Sequence, residues 1–497
     1  MTLKNIFFTL ILSLLLTACT KTSVIPKTKP VEIKVKVKVP DALTQLPEEV
    51  AKLLRNQGVS EKGMSAYVHA LSSPKPLLTF NADVPRNPAS VMKLITTYSA
   101  LGILGADYRW PIELYYTGTV SGGVLHGDLF LKGYGYPDFK PHDLRLLLKG
   151  LHKRGIRQIT GNLILDNTYF KNEATNPAAF DGKPYARYNA LPDALLYNER
   201  ISEFVVKPNN NAVSIVSTHP AKNVTIVNNL KLKNIKCSGR YANPRMKILS
   251  KAKEIKVQFD GFLSNRCGER KYSTVISNPV NMLYGSIKKI WQQEMGGAIG
   301  GNRLIVAGTP NHANLLYRLE SKPVKDILPL INKKSNNVMA RQLFLSIAAK
   351  AGIPATTQKG YQAIQQWFTS RGLNFPELRI ENGSGLSRVG KVSARHIGEL
   401  LMDAYKSPYR QDLLNSLPIM GVDGTLRKRM RNTVVANRGR FKTGTLRDAR
   451  GIAGYVKAEN GEVYVVAILH NDRTAKRRVL AAHNKLIEWT VRQPSKM

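Results

Sequence analysis

The chain has 497 residues, too many for one simple core, which predicts two or three domains. Its 43% hydrophobic content is ordinary for a globular protein, and no internal repeat or low-complexity tract interrupts it, which excludes a fibrous or disordered chain. With 74 Lys and Arg against 34 Asp and Glu, the formal net charge is +40, an excess that attracts polyanions: phosphate-bearing lipids, lipopolysaccharide, carboxylate-rich wall or nucleic acid.

At the N-terminus, Lys4 precedes an apolar run over residues 6–16. That run is short for a membrane span and fits a secretory signal. It ends in Leu16-Thr17-Ala18-Cys19, which looks like a bacterial lipoprotein cleavage box. Residues 1–18 are therefore expected to be a signal peptide and Cys19 a lipidated first residue. Residues 19–40, mostly Lys, Pro, Thr and Val, are expected to be a flexible tether. The alternative is a plain secretory signal with an incidental cysteine. Thr20 in place of an Asp resembles outer-membrane sorting. The expected location is the periplasmic side of a bacterial cell envelope, with the lipid in the outer membrane. Export excludes nucleic acid and leaves the membrane and the anionic envelope surface as partners of the basic excess.

The globular part is expected to begin near Pro40, with a helix over residues 47–57 and a strand over residues 64–71. Val91, Leu94, Ile95, Tyr98, Leu101 and Leu104 then mark a buried helix that starts near Ser90. Ser90-Val91-Met92-Lys93 opens it. Positions i and i+3 share a helix face, so Lys93 sits beside Ser90 at the positive helix end. Three other Ser-x-x-Lys copies, at Ser72, Ser250 and Ser286, lack this context and read as solvated surface. Residues 127–133 and 159–166 read as strands flanking a helix over 142–155. Residues 200–275 hold short alternating segments typical of β-rich lobes. Within them Cys237 and Cys267 read as a disulfide in an oxidising envelope, with two buried free thiols as the alternative. From Pro279 helices return, which suggests re-entry into the first domain. Ser335-Asn336-Asn337 precedes a helical run over residues 338–349 and would by itself be explained as an N-cap. Lys442-Thr443-Gly444 lies in a strand followed by a hairpin that turns at Asn460-Gly461.

Taken in this order, the three motifs resemble the active-site signature of penicillin-binding enzymes and serine β-lactamases. In Lys93 to Ser335 the gap is 242 residues, much longer than in simple β-lactamases. With Asn87-Pro88-Ala89, Gly133-Tyr134-Gly135-Tyr136-Pro137-Asp138, Asn382-Gly383-Ser384-Gly385-Leu386-Ser387-Arg388 and Gly421-Val422-Asp423-Gly424-Thr425-Leu426, the chain from about Pro47 onward resembles one family. This is the D-alanyl-D-alanine carboxypeptidase/endopeptidases of the class C low-molecular-mass penicillin-binding type (peptidase family S13, penicillin-binding protein 4-like).

The resemblance implies an α/β multidomain fold. A penicillin-binding transpeptidase/β-lactamase-like domain (antiparallel sheet with helices) over residues 41–105 plus 276–497 would be interrupted by a large β-rich insertion over 106–275, in two nested lobes. It implies a serine D,D-peptidase of peptidoglycan that hydrolyses D-Ala-D-Ala termini, D-Ala-diaminopimelate cross-links, or both, through a penicillin-sensitive acyl-enzyme. A β-lactamase or esterase with the same machinery, and a non-catalytic wall-binding lipoprotein, are the alternatives. Ser90 would be the nucleophile, Lys93 its base and Ser335 a proton relay. Asn337 would hold the peptide amide; Lys442, Thr443 and Thr445 would bind the terminal carboxylate. Gly444 would leave room for substrate added as a strand, and the N–H groups of Ser90 and Thr445 would form an oxyanion hole. By resemblance Asp166 would contact the amino group of a diaminopimelate side chain, Arg388 a substrate carboxylate, and Phe170 the peptide. Arg447 stands where some members carry glutamine, and Arg341 near where many carry an acid. No metal or cofactor is implied, and the nine histidines lack zincin spacing. Expected partners are peptidoglycan peptides, β-lactams and, through the Cys19 lipid, a membrane.

Overall fold

Strict alternation along one strand sets the architecture. In the strand Val463–Asn471, Val465, Ala467 and Leu469 face one apolar cluster, while Val466 and Ile468 face another. Side chains on a strand alternate between faces, so such a strand must be covered on both sides. In the computed structural model it is the centre of a five-stranded antiparallel sheet. The order across the sheet is Gly439–Thr445, Ala449–Lys457, Val463–Asn471, Met64–Ala70, Leu78–Phe80. Helices Glu48–Asn56 and Leu480–Val491 cover one face. Met92–Ile103, Asn337–Lys350 and Ala394–Lys406 lie in the layer on the other. Each fully buried aliphatic side chain in such layers contributes about 1.5–3 kcal/mol.

The structure describes residues 41–494 except 172, 174–175, 219–223, 252–253, 277–278 and 302–303. The expected signal peptide, the Cys19 lipidation site and the tether lie outside the described residues.

Between the Ser90 helix and the Ser335 helix the chain builds further sheets. A mixed five-stranded sheet runs Ile305–Val306, Leu163–Asp166, Leu129–Gly133, Pro111–Tyr116, Asn314–Glu320. A four-stranded sheet runs Ala298–Ile299, Gln158–Ile159, Val124–His126, Thr119–Ser121. Two three-stranded sheets hold the chain from Ser202 to Thr274, with Phe204, Val257 and Phe259 at their core. There Cys237 and Cys267 form a disulfide.

The α/β class holds, with parallel as well as antiparallel pairs. Two expectations change. The stretch 159–166 is not one strand: it leaves one sheet after Ile159 and enters the next at Leu163. Gly161 turns the corner where a Cβ would meet the Gly127 carbonyl oxygen at 2.4 Å. The expected return to the first domain at residue 276 also moves. Strands as late as Asn314–Glu320 pair with Pro111–Tyr116, and the helix Pro279–Lys288 contacts Leu163–Asp166, so the inserted part runs to Glu320. The helix Val324–Asn332 is the first to contact Met92–Ile103 again.

Candidate active site

Ser90 sits on a tight 3-10 turn, Ala89–Val91, that runs into the helix Met92–Ile103. Ala89 takes a left-handed φ of +48°, uncommon for a residue with a Cβ. Its N–H donates to Asn87 Oδ1 at 2.9 Å, and Val91 N–H donates to the Pro88 carbonyl at 3.1 Å, which pins the turn. Ser335 also has a left-handed φ, +54°. It precedes Asn336, whose side chain caps the helix Asn337–Lys350 by accepting from Met339 N–H at 3.1 Å. Both motif serines thus lie at strained turns that feed helices, a placement common at functional sites.

Lys93 is fully buried. Its Nζ lies 3.0 Å from Ser90 Oγ, 2.7 Å from Asn337 Oδ1 and 2.6 Å from the Ser384 carbonyl oxygen. Burial, then the charges of Lys442 and Arg341, push its ammonium well below the ordinary lysine range. Lys442, equally buried, donates to Ser335 Oγ at 3.0 Å and to the Thr443 carbonyl at 2.8 Å. Burial alone brings it down to about 7. Two hydrogen-bonded groups, Ser90–Lys93–Asn337 and Ser335–Lys442, thus stand near enough for the charge of Lys442 to act on Lys93.

Lys442 comes from the edge strand Gly439–Thr445. Ile419 bridges Arg440, and Phe441 N–H donates to the Pro418 carbonyl, so the outer edge is covered as far as Phe441. Residues 442–445 follow beyond that cover. Thr443 is partly exposed and Thr445 exposed. Gly444 serves a purpose other than the expected one. A Cβ there would stand 2.6 Å from the Pro88 carbonyl oxygen and 2.8 Å from Ser90 N, so the space it leaves is filled by the turn that carries Ser90, not by substrate.

Asn337 is also more committed than expected. Its oxygen accepts from Lys93, and its Nδ2 donates to the Tyr188 carbonyl of the inserted part at 3.1 Å. The same helix is tied to that part through Arg341 to Ala190 and through two bonds between Gln342 and Asp193. A cleft of about 420 Å³ opens between this segment and the loop 381–389, with Phe180, Asn189, Arg341, Glu381 and Arg388 in its walls. Arg388 keeps 43% of its side chain exposed, stacked 4.4 Å from the Phe180 ring centre and 3.2 Å from Asp448.

Asp166 and Phe170 correct the expectation drawn from resemblance. Asp166 is 1% exposed. One of its oxygens accepts from Thr168 N–H (3.0 Å) and Oγ1 (2.6 Å), the other from Thr309 N–H (2.8 Å) and Oγ1 (2.7 Å). Burial would raise its pKa, but these donors outweigh burial and hold it below the ordinary carboxylate value. Lys132 Nζ stands 3.8 Å from the second oxygen, so the ammonium beside this carboxylate is the chain's own. Phe170 is buried against Ala194, Leu345, Ala348 and Ala355, and fills the space that Gly135 leaves. It belongs to the seam between the two parts of the chain.

Sequence reasoning passed over Ser384, which acts through a backbone carbonyl and so carries no side-chain signature. The glycines beside it are the one signal. Gly383 and Gly385 have φ of +68° and +75°, and a Cβ on Gly385 would fall 1.8 Å from the Ala89 carbonyl oxygen.

A family model described as "D-Ala-D-Ala carboxypeptidase 3 (S13) family" matches residues 46–493. The chain is 26% identical to a D-alanyl-D-alanine carboxypeptidase of Actinomadura sp. (strain R39) over 438 residues, 85% of this chain and 80% of that protein. It is 25% identical to D-alanyl-D-alanine carboxypeptidase DacB of Haemophilus influenzae over 393 residues, 77% of this chain and 80% of that one. The crystal structure of penicillin binding protein 4 (dacB) from Haemophilus influenzae matches with a TM-score of 0.75 at 22% identity. That match covers 89% of this chain and 99% of the other and shows a shared fold.

Proposed function

The chain belongs to the D-Ala-D-Ala carboxypeptidase 3 (S13) family, and from that premise we propose that it works as a serine D,D-peptidase of peptidoglycan with Ser90 as nucleophile. One observation carries the assignment. Two of the three neighbours of Lys93 Nζ, the Asn337 amide oxygen and the Ser384 carbonyl, can only accept hydrogen bonds. A neutral amine has two N–H groups and one lone pair. Both N–H groups are thus committed, and the lone pair is left for the Ser90 hydroxyl at 3.0 Å. The depressed pKa of Lys93 makes the neutral form accessible.

The reaction follows from that arrangement. Ser90 Oγ attacks the carbonyl carbon of the D-alanyl residue, and its proton passes to Lys93. The resulting ammonium has three N–H groups for three acceptors, so no partner is lost. Ser335, held by Lys442, delivers its proton to the leaving amine and is refilled by the proton that Lys93 took, so the C–N bond breaks to leave an ester on Ser90 with Lys93 neutral again. Water then adds to the ester carbonyl, its proton goes to the neutral Lys93, and Lys93 passes that proton to Ser90 Oγ as the ester C–O bond breaks. Lys442, Thr443 and Thr445 bind the carboxylate of the departing residue. The backbone N–H groups of Ser90 and Thr445 serve as the oxyanion hole. Arg388, at the rim of the 420 Å³ cleft, takes a second substrate carboxylate.

Ser90→Ala should abolish covalent labelling by a fluorescent penicillin and release of D-alanine from a muropeptide. Undiminished labelling would overturn the assignment. Slow loss of the label from the wild-type chain is the outcome that separates a peptidase from a β-lactamase.

The finer placement rests on the N-terminal segment. The lipobox-like Leu16-Thr17-Ala18-Cys19 supports a signal-directed, lipid-anchored protein on the periplasmic side of the envelope. The exposed basic side chains of Arg427, Lys428, Arg431, Lys476, Arg477 and Arg478 support a second, electrostatic contact with anionic lipid headgroups.

A further inference from the structure

The turn 421–426 has no part in the reaction above, yet it bridges the second and third motifs. Thr425 N–H donates to the Lys333 carbonyl at 3.1 Å, and Lys333 Nζ donates to Asp423. Asp423 in turn accepts from Ile419 N–H at 2.8 Å. Lys333 lies two residues before Ser335. Gly424, with φ +55°, sits so close that a Cβ would be 2.8 Å from the Lys333 carbonyl oxygen. On its other side the turn places Thr425 Oγ1 2.8 Å from Thr443 Oγ1.

Two hydroxyls at that distance share one proton, and one O–H remains free. If Thr425 donates, Thr443 keeps its proton for an incoming anion; if Thr443 donates, the free proton is on Thr425. In either case one hydroxyl proton stays beside the Lys442 strand, and its direction is limited by a contact that the backbone bond to Lys333 holds in place. Thr425 is exposed, so the contact does not serve to satisfy a buried group. Glycine at 424 and threonine at 425 are what this geometry requires, since a larger residue at 424 collides and an apolar one at 425 loses the partner.

We propose that Thr425 is a positioning residue for the carboxylate of the substrate's leaving residue: it orients the Thr443 hydroxyl so that its hydrogen bond forms without a search over rotamers. The proposal rests on the serine D,D-peptidase reading. It gives the turn a role in choosing carboxylate-ended substrates over esters or amides of the same shape.

The test uses the full chain with benzylpenicillin and its methyl ester, which lacks the negative carboxylate. Thr425→Val keeps the shape and removes the hydroxyl; Thr425→Ser keeps the hydroxyl. Thr425→Val should slow acylation by benzylpenicillin roughly 10-fold, the order expected for one hydrogen bond to a charged group, and leave acylation by the ester unchanged. Thr425→Ser should restore the acid-over-ester preference. An unchanged benzylpenicillin rate in Thr425→Val would overturn the proposal. So would an equal fall for acid and ester, because that marks a brace for the whole site. A wild-type chain that neither compound acylates would remove the peptidase reading itself, and this proposal with it.

Discussion

Lys93 and Lys442 are buried with no carboxylate paired to them among the described residues, and at the scale of the residue that is a cost to folding. Lys442 titrates near 7 in the folded chain against an ordinary value of 10.5. Between those values the unfolded chain binds the extra proton, so stability rises with pH across the window, by about 5 kcal/mol for this group. Below pH 7 both states are protonated and the whole penalty is present. Lys442→Met removes the charge and keeps the stem. It should raise the thermal midpoint at pH 7, flatten its rise towards pH 10 relative to wild type, and abolish penicillin labelling. Unfolding scans of both chains from pH 7 to 10 check this, and a variant less stable than wild type at pH 7 would contradict it. The same residues show what a sequence can disclose. Ser90 and Lys93 were legible because one helical turn fixes their relation. Asp166 and Phe170 were misjudged because their surroundings come from far along the chain: Thr309 saturates one, and Gly135 and Ala355 enclose the other. Ser384 stands in the Asn382–Arg388 motif, but its role has no side-chain signature, since what it offers Lys93 is a peptide carbonyl.

Among the elements, the strands and helices of the main sheet could be read from alternation and helical spacing, while the extent of the insertion could not. The pairing of Glu113 with Arg318 spans 205 residues, and a short strand such as Ile305–Val306 has no pattern that announces its partner. Amphipathic helices such as Pro279–Lys288 look alike whichever sheet they cover, which is why the return to the first domain was set too early. The lobe from Ser202 to Thr274 is a separate case, because it supplies most of one apolar cluster around Phe204, Val257 and Phe259, joined by Tyr185 and Ile276 at its ends, and the Cys237–Cys267 disulfide lies within it. Closing a loop of sequence separation 30 stabilises by about 3–4 kcal/mol on the chain-entropy account. The double variant Cys237→Ser/Cys267→Ser should be cut faster within residues 202–274 in limited proteolysis. It should still be acylated at Ser90 at close to the wild-type rate, because the residues that hydrogen-bond to the Ser335 helix and its cap (Tyr188, Ala190, Asp193 and Glu199) precede the lobe, and Val275, which packs with Val338, follows it. Loss of acylation together with faster cutting would show that the lobe supports the site.

For the whole molecule the +40 charge has to be reconciled with a site that itself holds buried cations. The excess is not spread evenly. From Gly424 to Arg447 there are eight Lys and Arg and no Asp or Glu, and Arg473, Lys476, Arg477 and Arg478 follow within six residues. These stretches are neighbours in space: Arg450 donates to the Lys476 carbonyl at 2.6 Å, and Arg429 to Asn484 at 2.6 Å in the helix that follows. Each exposed basic side chain near an anionic lipid surface contributes about 1 kcal/mol, within a screening length of about 8 Å at physiological salt. Six such residues suffice for reversible attachment at low salt and none at high salt, whereas an acyl chain is indifferent to salt. The two contacts can therefore be told apart in fractionated cells. The wild-type chain should stay with membranes through a wash at about 0.5 M salt and leave only in detergent. Cys19→Ser should remain bound at low salt and be released by that wash. Cys19→Ser with Arg427, Lys428, Arg431, Lys476, Arg477 and Arg478 changed to Gln should be found free at low salt as well. Release of the wild type by salt alone would exclude the lipid anchor. A free Cys19→Ser chain at low salt would exclude the electrostatic contact, and the basic face would then serve solubility alone.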